Sequence, residues 1–335
     1  MIRRDLLNTI VLTAIAVAIA ACSRDVNLYQ PTEEEVMENA EALFGVKIDP
    51  NQDWRMADYA TASVAVDGNQ GETYTVKIYS NDPLADKSGY VLAKGKVKSG
   101  STFTTRFEYP VAETALVVGI TDAKGNTVLK KAAVANRQLR AVFKGDWGVP
   151  VVIAETPQVW SYAFEDTPRG DYDMNDVVIK VKENASDADK IDVTLCCAGA
   201  SFDLKVYMGD TLLFNTAGAE VHKVLGQKSG SLINTGKDAD VDVVTTTIVK
   251  PANFSYTGAD FWLDSPAVLG GVHIAQKGKD PHGMIIPCDW AWPKEYVCIS
   301  LAYPDFPKFA KEATATAPAV RGWYKTPDSS KIYTK

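Results

Sequence analysis

Between Trp160 and Val178 the chain gathers Glu165, Asp166, Asp171, Asp173, Asn175 and Asp176 into one turn between two apolar segments. Carboxylates packed so closely repel one another unless a cation sits among them. Asp171, Asp173 and Asn175 stand at positions 1, 3 and 5 of a short loop. That spacing lets side-chain oxygens converge on one hard ion, and an all-oxygen donor set suits calcium. The loop is not an EF-hand, because positions 6 and 12, where that motif needs Gly and Glu, hold Asp176 and Lys182. In a non-helical calcium loop, Asp171, Asp173 and Asn175 would supply side-chain oxygens and Glu165, Asp166 or Asp176 would complete the shell. Two other readings stand beside this one. Asx side chains readily bond their own backbone and Gly170-Asp171 suits a tight bend, so the segment also reads as a hydrogen-bonded turn. A carboxylate pair for glycoside hydrolysis would need an open cleft and one raised pKa.

The remaining chemistry-bearing residues are sparse. His222, His273 and His282 share no metal-ligand spacing and read as structural or surface residues. The chain has no Gly-x-Ser-x-Gly elbow and no phosphate-cradling Gly-Lys-Ser/Thr loop. A non-catalytic protein is therefore expected. Trp262, Trp290, Trp292 and Trp323 belong to an aromatic-rich stretch after Phe254. Coplanar and exposed, they would form a sugar-stacking platform and point to a glycan-binding module; buried, they are core, which is what such rings usually do.

The chain that positions these residues has 335 residues, 46% of them apolar, and a formal charge of -7. It can bury a substantial core, in about two domains. With no basic run, nucleic acid is not an expected partner. Arg3 and Arg4 precede an apolar run from Ile10 to Ala21, which is too short to span a bilayer and the right size for an export signal. Ile19-Ala20-Ala21-Cys22 resembles the lipobox of bacterial lipoproteins, which implies lipidation of Cys22 and a membrane anchor. Residues 1–21 then form the signal peptide. Residues 22–56 form a tether and short helix, which opens on Thr32-Glu33-Glu34-Glu35 and ends at Gly45. Its stripe of Val36, Ala40, Leu43 and Phe44 is expected to dock on the first domain.

Period-two alternation from about residue 60 to 143 predicts an immunoglobulin-like β-sandwich over 57–145, with a hairpin around Asp122-Ala123-Lys124-Gly125-Asn126. A Gly- and Pro-rich boundary follows. Residues 154–335 again read as β, with strands expected at 177–181, 191–195, 202–207, 241–249 and 297–301. The fold class is all-β, two sandwich domains behind a short N-terminal helix. Cys196 and Cys197 are adjacent, so in a strand they point to opposite faces. Pairing of one of them with Cys298 and burial of free thiols both fit the sequence.

Several separated segments together resemble LruC-domain lipoproteins of Gram-negative bacteria. They are Phe164-Glu165-Asp166 with Gly170-Asp171-Tyr172-Asp173 and Asn175-Asp176-Val177-Val178; Val221-His222-Lys223-Val224-Leu225-Gly226 with Ile233-Asn234-Thr235-Gly236; Pro281-His282-Gly283-Met284 with Trp292-Pro293-Lys294-Glu295; and Ala302-Tyr303-Pro304-Asp305-Phe306 with Trp323-Tyr324. The resemblance covers about residues 154–327. It implies a β-rich lipoprotein of the outer membrane, facing the periplasm or the cell surface. The acidic motif is similar to loops of calcium-dependent bacterial adhesin domains. That likeness implies a calcium ion nearest Asp166, Asp171, Asp173, Asn175 and Asp176, and a protein or glycan ligand for an adhesion or recognition module.

Overall fold

The structure is a computed structural model and describes residues 30–85, 89–145, 149–151, 153, 155–215, 218, 220–313 and 318–335. The expected signal peptide and Cys22 lie outside them. Glu33–Lys335 forms one compact unit.

The chain is all-β apart from short helices. Helix α1 (Glu33–Phe44) carries three glutamates in its first turn and buries Val36, Ala40 and Phe44. Negative charge there complements the helix dipole. Gly45, at φ +69°, ends the helix by donating to the Glu41 carbonyl.

The following strands are β1 (Ala57–Asp67), β2 (Thr73–Tyr79), β3 (Val91–Lys98), β4 (Ser101–Pro110), β5 (Ala115–Thr121), β6 (Asn126–Ala135), β7 (Gln138–Lys144) and β8 (Val149–Pro150). They run in the order β3-β2-β5-β6-β7-β1-β4, with β8 on β6. β1 and β7 pair in parallel, whereas β1 and β4 pair antiparallel. β6 pairs with β5 along most of its length and then passes to β7 at Val134 and Ala135. The sheet thereby folds over a core that includes Val64, Val76, Ile78, Val118, Leu139 and Phe143. Along β1, Ala60, Ala62, Val64 and Val66 point inward, following the alternation of the sequence. The expected hairpin joins β5 to β6, and Asp122 Oδ1 accepts from the Lys124 and Asn126 amides, at 2.8 Å each.

The C-terminal region is built on a five-stranded antiparallel sheet. Its strands are β9 (Trp160–Phe164), β10 (Val177–Glu183), β11 (Lys190–Cys197), β14 (Val244–Val249) and β16 (Gly283–Ile286), in the order β14-β11-β10-β9-β16. A three-stranded sheet of β12 (Lys205–Met208), β13 (Thr211–Leu212) and β15 (Phe261–Asp264) packs on one face. Between the sheets lie Trp160, Tyr162, Phe164, Ile179, Val193, Val206 and Leu263.

The opposite face is covered by helices and loops: α3 (Ile299–Ala302), α4 (Phe306–Lys311) and the 3-10 turn Trp323–Lys325, with α5 (Pro318–Arg321) between them; α2 (Val221–Val224) comes earlier in the chain. Ala163, Val178, Met284 and Ile286 of the sheet pack there against Ile299, Tyr303, Phe306, Phe309 and Trp323. The residues of this second face include Ala40, Phe44, Ile48, Trp54 and Met56. The N-terminal helix thus docks on the C-terminal region, contrary to its expected place on residues 57–145. Of the four-residue stripe Leu43 is exposed, and an apolar stripe by itself matches either surface; the aromatic floor of the C-terminal region receives Phe44 edge-on, at 5.2 Å from Tyr172 and 5.0 Å from Phe306.

Two other local expectations are corrected. Residues 297–301, expected as a strand, lead into helix α3, where Ile299 and Ala302 face the core. A short apolar run does not distinguish helix from strand by periodicity. Cys196 and Cys197 do not face opposite sides. A register shift between β10 and β11 pairs Val178 with Cys197 and Ile179 with Leu195, and both cysteines pack in the helix-covered core. Cys196, Cys197, Cys288 and Cys298 are all free thiols.

Candidate metal centre

The acidic turn connects β9 to β10, and the Phe164–Val177 pair closes its base. Within it the backbone alternates. Tyr172 and Met174 adopt positive φ angles of 55° and 57°, and their side chains are buried in the helix-covered core. Bulky residues hold that conformation only where their surroundings dictate it. Here the surroundings are specific. Glu165 turns back under the loop and accepts from the Tyr172 amide at 3.2 Å and the Met174 amide at 2.6 Å. The Ile299 amide donates to the Tyr172 carbonyl at 2.7 Å, and Asn39 of α1 donates to the Gly170 carbonyl at 3.0 Å. Gly170 is required by this approach, since a Cβ there would run into Glu165 Oε2.

The alternation brings Asp171 and Asp173 to Glu165, with carboxylate oxygens of the three within 4.8 Å of one another. Glu165 is fully buried, Asp173 is 2% exposed, and Asp171 opens to solvent. Burial drives the Glu165 pKa well above the usual carboxylate range, and the charges of Asp173 and Asp171 add to the shift. Burial, with Asp171 and Glu295 nearby, pushes Asp173 up to about 8. Asp171, though open to solvent on one side, is raised by partial desolvation too. Ionising all three together is therefore unfavourable unless positive charge arrives.

The other predicted ligands occupy the flank. Asp176 Oδ2 accepts from the Asp166 amide at 2.7 Å. Burial raises Asp166 to about 6 and drives Asp176 well upward, with Glu165 the next contributor at Asp176. Neither belongs to the close triad. Asn175, fully buried, donates from Nδ2 to the Pro293 carbonyl at 3.2 Å, and its Oδ1 has no hydrogen-bond partner. The structure thus joins Asp171 and Asp173 directly, sets Asp166, Asn175 and Asp176 beside them, and gives Glu165 a central position.

Glu295 is the neighbour that loop spacing does not reveal. It follows Pro293, the acceptor of Asn175, and precedes Tyr296, whose amide donates to Asp173 Oδ2 at 2.8 Å. Burial raises Glu295 to about 7. Its signals in the sequence are its place in an aromatic-rich stretch and in the Trp292-Pro293-Lys294-Glu295 segment of the family resemblance, neither of which ties it to the loop.

A second grouping, Asp203, Glu220 and His222, was also invisible in the spacing. Its members are engaged in hydrogen bonds, Asp203 with Ser229 and Glu220 with His222. Glu220 caps α2 by accepting from the His222 amide at 3.0 Å and the Lys223 amide at 3.1 Å. The His222 ring contacts Glu220 through Nδ1 and the Ala200 carbonyl through Nε2. Both ring nitrogens are engaged, which leaves the imidazole no free lone pair for an ion.

The aromatic stretch is mostly core. Trp290, Trp292 and Trp323 are 1%, 6% and 0% exposed, which removes them from any sugar platform. Trp262 is half-buried and stacked between Tyr207 and His273. No helix among the described residues is long and apolar enough to cross a membrane.

No family model matches the chain. None of the curated proteins compared with it matches either. Among solved structures the chain is similar to a "putative lipoprotein" from Bacteroides ovatus, with 12% sequence identity and a TM-score of 0.47. The match covers 77% of this chain and 99% of that one. A likeness of that degree fixes neither fold nor function.

Proposed function

We propose that this protein is a lipid-anchored component of the cell envelope, and that calcium bound in the loop between β9 and β10 locks its C-terminal region. The carrying observation is the convergence of the Glu165, Asp171 and Asp173 oxygens within 4.8 Å of one another. These donors fit a hard divalent cation, since calcium takes six to eight oxygen ligands and tolerates irregular geometry. When bound, the ion supplies the positive charge that the buried carboxylates lack. Glu165 would hold it from beneath and Asp171 and Asp173 from the loop, with the buried, unbonded Oδ1 of Asn175 a further oxygen in the same loop.

The reading is of a recognition or adhesion module without catalysis. Glu165 lies beneath its own loop and Asp176 bonds the Asp166 amide, so these carboxylates do not face each other across a cleft. The lipobox-like segment before Cys22 and the resemblance to LruC-domain lipoproteins support the anchor and an outer-membrane address. Thermal unfolding of residues 23–335 in chelator and in calcium tests the locking role. Calcium should raise Tm in the native sequence and leave an Asp171→Ala, Asp173→Ala double variant unchanged. Equal Tm values for the native protein in both conditions would refute it.

A further inference from the structure

Among the described residues, Glu295 is a carboxylate whose Oε2 is buried and has no hydrogen-bond partner, in a residue only 7% exposed. A buried carboxylate oxygen that takes part in no well-formed hydrogen bond calls for an explanation such as a bound water or ion. The position of Glu295 supplies one. Its amide donates to the Thr235 carbonyl at 3.1 Å, and the Thr235 side chain supplies a hydrogen bond to its carboxyl. The residues on either side of the 293–296 segment bind the acidic loop, through Pro293 to Asn175 and Tyr296 to Asp173. Tyr296 holds a φ of 64°, so this clasp is fixed in an uncommon backbone conformation. The charges of Asp171 and Glu295 act on each other, as do those of Asp173 and Glu295. Lys237 acts on Glu295 in the opposite sense, with its ammonium over the neighbouring Tyr296 ring at 5.2 Å from the centroid.

We infer that Glu295 is a further ligand of the same divalent cation, binding it through Oε2 directly or through a coordinated water. The inference rests on the calcium reading of the loop and extends it. One ion would then tie residues 165–176 to the 293–296 segment, and through it to helix α3 and the aromatic floor. Calcium's demand for six or more oxygens exceeds what Glu165, Asp171, Asp173 and Asn175 supply as single donors. A fourth carboxylate from a remote segment helps to fill that shell, and it makes the ion a cross-link rather than a local loop ligand.

The test compares native residues 23–335 with Glu295→Gln, a near-isosteric change that keeps the side chain and removes its charge. Calcium affinity is read by calorimetry, terbium occupancy by luminescence sensitised through neighbouring tyrosines, and Tm in chelator and in calcium. The variant should show a higher Tm in chelator, because one repelling charge is gone. It should bind calcium roughly tenfold or more weakly, with a smaller calcium-induced rise in Tm. A structural role alone would leave the calcium affinity and the rise in Tm unchanged, and that result would overturn the inference while leaving the loop site intact. If the native protein binds no calcium, the parent reading fails as well. Should Glu295→Gln not fold, Glu295→Asp takes its place: charge is retained, reach is shortened, and weaker calcium binding is expected, with native affinity again overturning the proposal.

Discussion

A carboxylate as deeply buried as that of Glu165 must either keep its proton or find positive charge. Asp173, Glu295 and Asp166, raised to about 8, 7 and 6, face the same choice less severely. The sign of the pH dependence follows. Each folded-state value lies above the unfolded one, so protonation stabilises the fold fully below the unfolded carboxylate pKa, near pH 4, and that stability is lost as pH rises through the folded values. Metal-free protein should therefore lose Tm from about pH 4 up to about pH 8. Calcium requires deprotonated ligands, so the Tm gained from calcium should grow across the same interval. Thermal scans at several pH values in chelator and in calcium check both slopes, and parallel curves would contradict the account. Close packing gives a second residue-scale prediction. A Cβ at Gly199 would meet Asn175 Oδ1 and the Asn175 backbone. Gly199→Ala should cost about 1–3 kcal/mol in denaturant unfolding. At this scale the sequence showed Asp171 and Asp173 through their spacing. It did not show that Glu165 sits at the centre, because that depends on two positive-φ residues folding the loop back. Nor did it show Glu295, which reaches the loop only through tertiary packing.

Among the elements, α1 has the largest unexpected consequence. Its Asn39 holds the Gly170 carbonyl, and its Phe44 packs edge-on against Tyr172, the residue between two of the proposed ligands. The helix is in effect a brace for the back of the acidic loop. Phe44→Ala should lower stability by about 3–5 kcal/mol, as expected for a buried aromatic. It should also weaken calcium binding, since Tyr172 would lose its support. Chemical denaturation and calorimetry on the same variant separate the two effects. Helix α1 itself was legible, from its acidic start, its apolar stripe and Gly45, but its docking surface was not. Strands such as β1 and β7 were also legible, because one face of each is buried and alternation records that. In contrast, every residue of β9 is buried, so it carries no alternation to read. The irregular register beside Cys197 and the helix at Ile299 escaped for a related reason: both depend on the layer that covers the sheet.

For the whole molecule, residues 57–145 keep their own core and join the C-terminal region through apolar contacts at Ala57 and Ala112 and through polar ones. Glu108 of β4 accepts from the Tyr256 and Thr257 amides at 2.7 and 2.8 Å, and Lys325 pairs with Glu113 at 2.5 Å. Beyond Glu33 the proposed anchor adds a covalent limit. Ten residues separate Cys22 from Glu33, and a chain of that length spans at most roughly 35 Å. Cys22→Ser in the full chain should move the protein from the detergent phase to the aqueous phase on partitioning; continued membrane association would contradict the anchor.

The central claim is that a divalent cation relieves the repulsion within the acidic loop. Calorimetric titration of chelator-treated residues 23–335 with calcium tests it most directly. Saturable binding that disappears in the Asp171→Ala, Asp173→Ala double variant is the predicted result. A native protein that shows no binding, or a double variant that binds as tightly as the native protein, would contradict it.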